Sequence, residues 1–146
     1  MPVIKNTAQA RSKRERGQAM LESALVMLIF LSFLIGTLDF GQFLFFHQSL
    51  VERARAAVRY GAVNPTDSTG TTNVAVYNTP APANGASPIL GGLTTAMVSV
   101  VSSDPSTPEA RITVTITGYP FNILSPYIGG SYIVRPVVAT MASEAP

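Results

Sequence analysis

The chain has 146 residues, 47% of them hydrophobic and only 12% charged, against about 25% charged in ordinary soluble domains. It has no cysteine, which excludes disulfides and thiolate catalysis and leaves the compartment unreadable from redox chemistry. The formal charge of +2 is unevenly spread: Lys5, Arg11, Lys13, Arg14 and Arg16 against Glu15 give the first seventeen residues a net +4, and the remainder is −2. The sequence pI near 9.2 therefore belongs mostly to the leader. No basic, aromatic-interleaved patch follows it, so nucleic acid is not an expected partner.

Residues 1–17 read as a basic leader, polar and unpatterned, and are expected to be disordered before processing. From Gln18 to about Ala62 there is no proline, and one long helix fits. Its first part, residues 18–46, is the hydrophobic half. ALVMLIFLSFLIGTL, from Ala24 to Leu38, has no formal charge; Asp39 interrupts, and FGQFLFF follows. A bilayer core of about 30 Å needs about 20 mainly apolar helical residues, so this half is long enough to span. Positive charge beside a span stays cytoplasmic. The leader outweighs Arg53, Arg55 and Arg59, so a cytoplasmic N-terminus and a translocated C-terminal part are expected. The second half, residues 47–63, is amphipathic: Leu50, Ala54, Ala57 and Val58 share a face, while Glu52, Arg55 and Arg59 point elsewhere. Gly61 followed by Asn64-Pro65 reads as the stop.

Residues 64–146 form the expected external domain. The stretch 64–96 is rich in Thr, Gly, Pro, Asn and Ala, with one apolar island, Val74 to Tyr77, open between a short helix and an edge strand. Three strands are expected: Met97–Val101, Ala110–Thr117 with Ile112, Val114 and Ile116 on one face, and Tyr132–Met141, where Pro136 suggests an edge or a bulge. Asp104-Pro105-Ser106 suits a turn between the first two, and SPYIGGS links to the third. Three strands with one apolar face need a cover, and the amphipathic half of the helix is available. The expected fold is α+β: a long N-terminal membrane-spanning helix packed through its C-terminal half on a small antiparallel sheet of about three strands.

Catalytic constellations are nearly absent. His47 is the only histidine and has no partner at useful spacing, so it reads as an interfacial or packing residue. No P-loop, GxGxxG or metal-ligand spacing occurs. Gly91-Gly92 and Gly129-Gly130 are turn material. The chain is not expected to be an enzyme, and no cofactor or metal is expected.

Two carboxylates stand out, because a carboxylate at membrane depth is costly and normally has a partner or a task. Asp39 has two open readings: it marks the outer membrane boundary, or it makes a polar contact with a neighbouring helix. Glu22 is read as a first-turn carboxylate favoured by the helix dipole, or in conjunction with Gly17. A cut after Gly17 would leave Gln18 as a new N-terminal ammonium one helical turn from Glu22. The glutamate of one subunit paired with the ammonium of the next offsets the burial penalty of both and fixes axial register.

This arrangement resembles the prepilin (class III) signal: a short basic leader, a glycine, then a glutamate fifth after the cut within a hydrophobic helix, here R16-G17-Q18-A19-M20-L21-E22. The longer run RGQAMLESALVMLIFLSFLIGTLDFGQFLFFHQSLVERARAAVRYGAV resembles the TadE-like family of pilin-related proteins from the tight adherence (Tad/Flp) pilus machinery. The similar features are the RGQA…E start, Asp39-Phe40-Gly41 at the end of the hydrophobic run, and A54-R-A-A-V-R-Y-G61; GLTTAMVSV, TVTITGYPF and the final VATM are also similar. One departure is Ser23, where related cleavage sites often carry an aromatic residue. The resemblance implies a minor pilin or pseudopilin held in the bacterial inner membrane, cut after Gly17 by a prepilin peptidase. Its implied partners are other pilins and the inner-membrane assembly platform, besides the lipid bilayer. The alternative is an uncleaved single-pass protein whose external domain binds a partner or the cell envelope.

Overall fold

A computed structural model describes residues 4–103, 110–124 and 130–143, with side chains from residue 16 onward. Its dominant element is α1, Ile4–Val63, a 60-residue helix about 90 Å long. The helix begins well before Gln18, so the expectation of a disordered leader is corrected for residues 4–17. The physical reason is local. After Ile4 the leader is built largely from Lys, Arg, Gln, Glu and Ala, which are strong helix formers, and contains no proline.

The C-terminal half of α1 packs as its pattern requires. Leu50, Ala54, Ala57, Val58 and Ala62 are buried along one stripe, while Glu52, Arg55 and Arg59 are exposed. Gly61 is not the stop: it lies inside the last turn. A Cβ there would press into Ile112 Cδ1 and lie 3.0 Å from Thr71 Oγ1, so glycine permits close approach of three elements. The helix ends ahead of Asn64-Pro65, where proline disfavours a helical preceding residue.

The apolar island at Val74–Tyr77 is helical. It belongs to α2, Ser68–Tyr77, whose N-cap Asp67 accepts the Gly70 N–H at 2.8 Å. Asn78 closes α2 in the left-handed conformation, φ 60°, its N–H bonded to the Val74 carbonyl. After a 3-10 turn at Thr95–Met97 comes β1, Val98–Ser102, then β2, Arg111–Ile116. The expected turn at Asp104-Pro105-Ser106 lies outside the described residues, as does most of the SPYIGGS link. Further on are β3, Pro120–Asn122, β4, Ser131–Ile133, and β5, Val137–Ala142.

The main sheet is antiparallel with order β1-β2-β5, and Val114 pairs with Val100 on one side and Ala139 on the other. The central strand alternates as expected, with Ile112, Val114 and Ile116 buried beneath α1 and α2. On its other face Thr113 and Thr140 share a hydroxyl hydrogen bond of 3.0 Å across strands. The expected third strand, Tyr132–Met141, is corrected to two strands in different sheets. Pro136 lacks an N–H and cannot continue a ladder. Before it, β4 pairs with β3 as a two-stranded ribbon; after it, β5 joins β2. A bond from the Val134 N–H to the Tyr119 carbonyl, 3.0 Å, extends the ribbon to the break.

The core has two parts. Nearer the hydrophobic half of α1, Leu50 and Ala54 meet Val76, Leu93, Ile116, Tyr119, Phe121 and Val137. Nearer its C-terminus, Ala57, Val58 and Ala62 meet Val74, Ala75, Ile112 and Val114. The ribbon therefore sits against the lower end of the domain, beside Phe43 and Phe46 of α1, whose rings contact Phe121 at 5.7 and 5.9 Å.

Candidate functional site along the long helix

Most of the hydrophobic half of α1 is uncovered. From Met20 to Leu38 its large side chains are mainly exposed, Met20 at 75% and Phe33 at 77%, and only toward its end do Phe43 and Phe46 reach Phe121 of the domain. Arg16–Val63 is the one helix among the described residues that is long and apolar enough to cross a membrane. Its hydroxyls are satisfied locally: Ser23, Ser32 and Thr37 each donate to the carbonyl four residues earlier, at 2.8–2.9 Å. A helix whose backbone and hydroxyl groups are bonded within itself is compatible with hydrocarbon. Between Arg16 and Glu52 only Glu22 and Asp39 carry formal charge, leaving His47 aside as neutral.

The structure treats these two carboxylates differently. Asp39 is only 8% exposed, and its Oδ1 accepts the backbone N–H of Leu124 at 2.7 Å. This contact joins α1 to the segment after β3, 85 residues later in the chain. Asp39 thus makes a polar contact at the end of the apolar run, to its own domain. No sequence spacing announces the partner, because a backbone N–H carries no residue signature. Glu22 is exposed and, among the described residues, has no hydrogen-bond or ion-pair partner. The two lie about 25 Å apart along the helix.

Gly17 and Gln18 are exposed and helical. A Cβ at Gly17 would meet nothing within 4 Å, so packing does not require glycine there, although it costs a helix about 1 kcal/mol relative to alanine. Gly36 and Gly41 are likewise in open space. Of the glycines described in α1, Gly61 alone is explained by a neighbour within the chain.

His47 is half-buried and stacks on Phe43, ring centroids 6.2 Å apart, in the packing position its lone occurrence suggests. Above it, Arg53 donates to the Asn78 side-chain carbonyl at 2.8 Å and ties α1 to the C-terminus of α2. Tyr60 donates to Asp67 Oδ2 at 2.8 Å and ties α1 to the N-terminus of α2. The Gly70 N–H and then the Tyr60 hydroxyl hold the Asp67 carboxyl below its ordinary pKa, and the same hydrogen bond pushes the Tyr60 phenol up. Burial also raises the Tyr119 phenol, which donates to the Gly91 carbonyl at 2.8 Å. The Asp67-Ser68 pair, followed by threonines and an apolar island, carries a readable N-cap signal for α2.

A groove of about 460 Å³ opens where α1 meets the ribbon, with Asp39, Phe40 and Phe43 on one wall and Phe121, Tyr132, Ile133 and Arg135 on the other. Its surface is mainly apolar. Among the described residues no group of three or more His, Asp or Glu side chains gathers in a metal-binding arrangement.

No curated protein and no solved structure matches the chain. Residues 17–59 match the family model described as TadE-like protein, and over that segment, from Gly17 through the hydrophobic half into the amphipathic half of α1, the TadE-like resemblance is borne out.

Proposed function

We propose that the protein is a minor pilin or pseudopilin of a Tad-type (type IVb-like) pilus. It is held in the bacterial inner membrane by the hydrophobic half of α1, with the N-terminus cytoplasmic and the β domain periplasmic. A prepilin peptidase cuts it after Gly17, and the product joins other pilins and the assembly platform in building or priming the filament. It works as a structural subunit without cofactor or catalytic site.

The observation that carries this reading is the start of the family match at Gly17, ahead of an exposed Glu22 that no described residue of its own chain satisfies. Cleavage makes the Gln18 ammonium, and Glu22 of one subunit meets the ammonium of another in the low-dielectric helix packing, where each offsets the desolvation of the other. Asp39 needs no such partner, because Leu124 already serves it.

The test is a Glu22→Gln chain expressed with its pilus machinery. The reading expects normal cleavage and membrane insertion with loss of the subunit from sheared pili or of pilus assembly itself. Assembly indifferent to Glu22→Gln would contradict the ammonium–carboxylate pairing.

A further inference from the structure

The β3–β4 ribbon is a second membrane-contacting element: we propose that the groove between it and α1 receives an acyl chain of a glycerophospholipid from the leaflet on the domain side. The inference rests on α1 spanning the bilayer. A hydrocarbon core of about 30 Å takes about 20 helical residues. Counted from Ala19, the core ends at Leu38; counted from the residue after Glu22, it ends at Gln42. In either register the boundary falls close to Asp39, and the Asp39–Leu124 bond holds the end of the ribbon at that level.

The surface there continues the apolar surface of the helix. On α1, Phe40 and Phe45 are exposed; on the domain, Leu124 is 64% and Ile133 73% exposed. Neither Leu124 nor Ile133 belongs to the core clusters. Left in water, side chains of this size forgo the free energy of burial. Arg135, which lines the groove two residues after Ile133, is a residue type suited to a membrane–water boundary, where an aliphatic stem is buried and the charged end reaches headgroups. The continuity of the groove with the lipid-facing helix identifies lipid as its occupant, in preference to a soluble protein.

The chain has no tryptophan, so single tryptophans report without background. Leu124→Trp, Ile133→Trp, Phe30→Trp in mid-span and Thr69→Trp in α2 are each placed in the full chain and reconstituted in phosphatidylcholine vesicles. Emission is compared with and without lipids brominated in the upper acyl chain or near its end. The indoles at positions 124 and 133 are expected to emit blue-shifted light and to lose intensity to the upper-chain bromines. The mid-span indole at position 30 is expected to be quenched by the deep bromines, and the one at position 69 by neither. Water-like, unquenched emission from positions 124 and 133, with the mid-span indole quenched, overturns the lipid groove and leaves the anchor intact. An unquenched mid-span indole overturns both. Blue-shifted but unquenched emission at 124 and 133 that reverts when protein is diluted in lipid means that a second copy covers the groove, and it too overturns the assignment.

Discussion

The two halves of α1 share one backbone and one helical period but are built for different surroundings. Residues 20–46 present Leu, Ile, Met and Phe on all sides, and nearly all are exposed; residues 50–62 present Leu50 and then mainly alanine, and these are buried. The large side chains fill space in a solvent of hydrocarbon, whereas the small ones let α2 and the sheet approach the helix axis. Total hydrophobicity alone would point to the first half as the core. Width of the apolar surface separates them: apolar all round means a lipid or filament environment, and an apolar stripe means a packed domain.

That contrast is broken most strongly at Leu50. Leu50→Ala should destabilise the domain by about 2–5 kcal/mol, because the side chain is fully enclosed and its removal leaves a cavity. Leu25→Ala, the same chemistry in the other half, should change domain stability by no more than about 0.5 kcal/mol. Urea unfolding of the detergent-solubilised chain, followed by tyrosine signals, measures both.

A smaller effect is expected at Gly61. Gly61→Val would press a branched side chain onto Ile112 and Thr71 and should cost about 1–3 kcal/mol. Gly36→Val meets open space and should leave domain unfolding unchanged. Equal effects of the two valines would mean that the close crossing at Gly61 is absent.

The smallest expected effect is electrostatic. Asp67 has a folded-state pKa below its ordinary value of 3.8 because the Gly70 N–H and the Tyr60 hydroxyl favour the carboxylate. Its contribution to stability is therefore present above that ordinary value and is lost as pH falls through the lower folded-state value. Asp67→Asn keeps an N-capping oxygen but cannot titrate. The wild-type melting temperature should fall more steeply than that of the variant as pH drops below 3.8. Parallel curves would show that the carboxylate gains nothing from its two donors.

Much of this architecture is legible in the sequence because it rests on periodicity. The amphipathic stripe at Leu50, Ala54, Ala57 and Val58 and the alternation of Ile112, Val114 and Ile116 name their own buried faces. What the sequence does not announce depends on contacts distant along the chain. The Asp39–Leu124 bond uses a main-chain donor, and the β3–β4 ribbon has strands of only three residues, too short to show alternation. Pro136 signals a disturbance in a strand, yet only the topology shows that the chain changes sheets there. Gly61 reads as a stop because a glycine near a helix end fits both a cap and a close crossing, and only the position of Ile112 distinguishes them.

The division of α1 bears on function through Gly17 and Glu22, the features at its far end that the fold of this chain leaves unexplained. Intact-mass spectrometry of the protein extracted from membranes of cells carrying the pilus machinery tests the proposed role most directly. A mature chain beginning at Gln18, accumulating as the uncut form when Gly17 is replaced by a bulky residue, is the expected result. A wild-type chain that keeps residues 1–17 throughout would contradict processing and leave the long helix as the anchor of an uncleaved envelope protein.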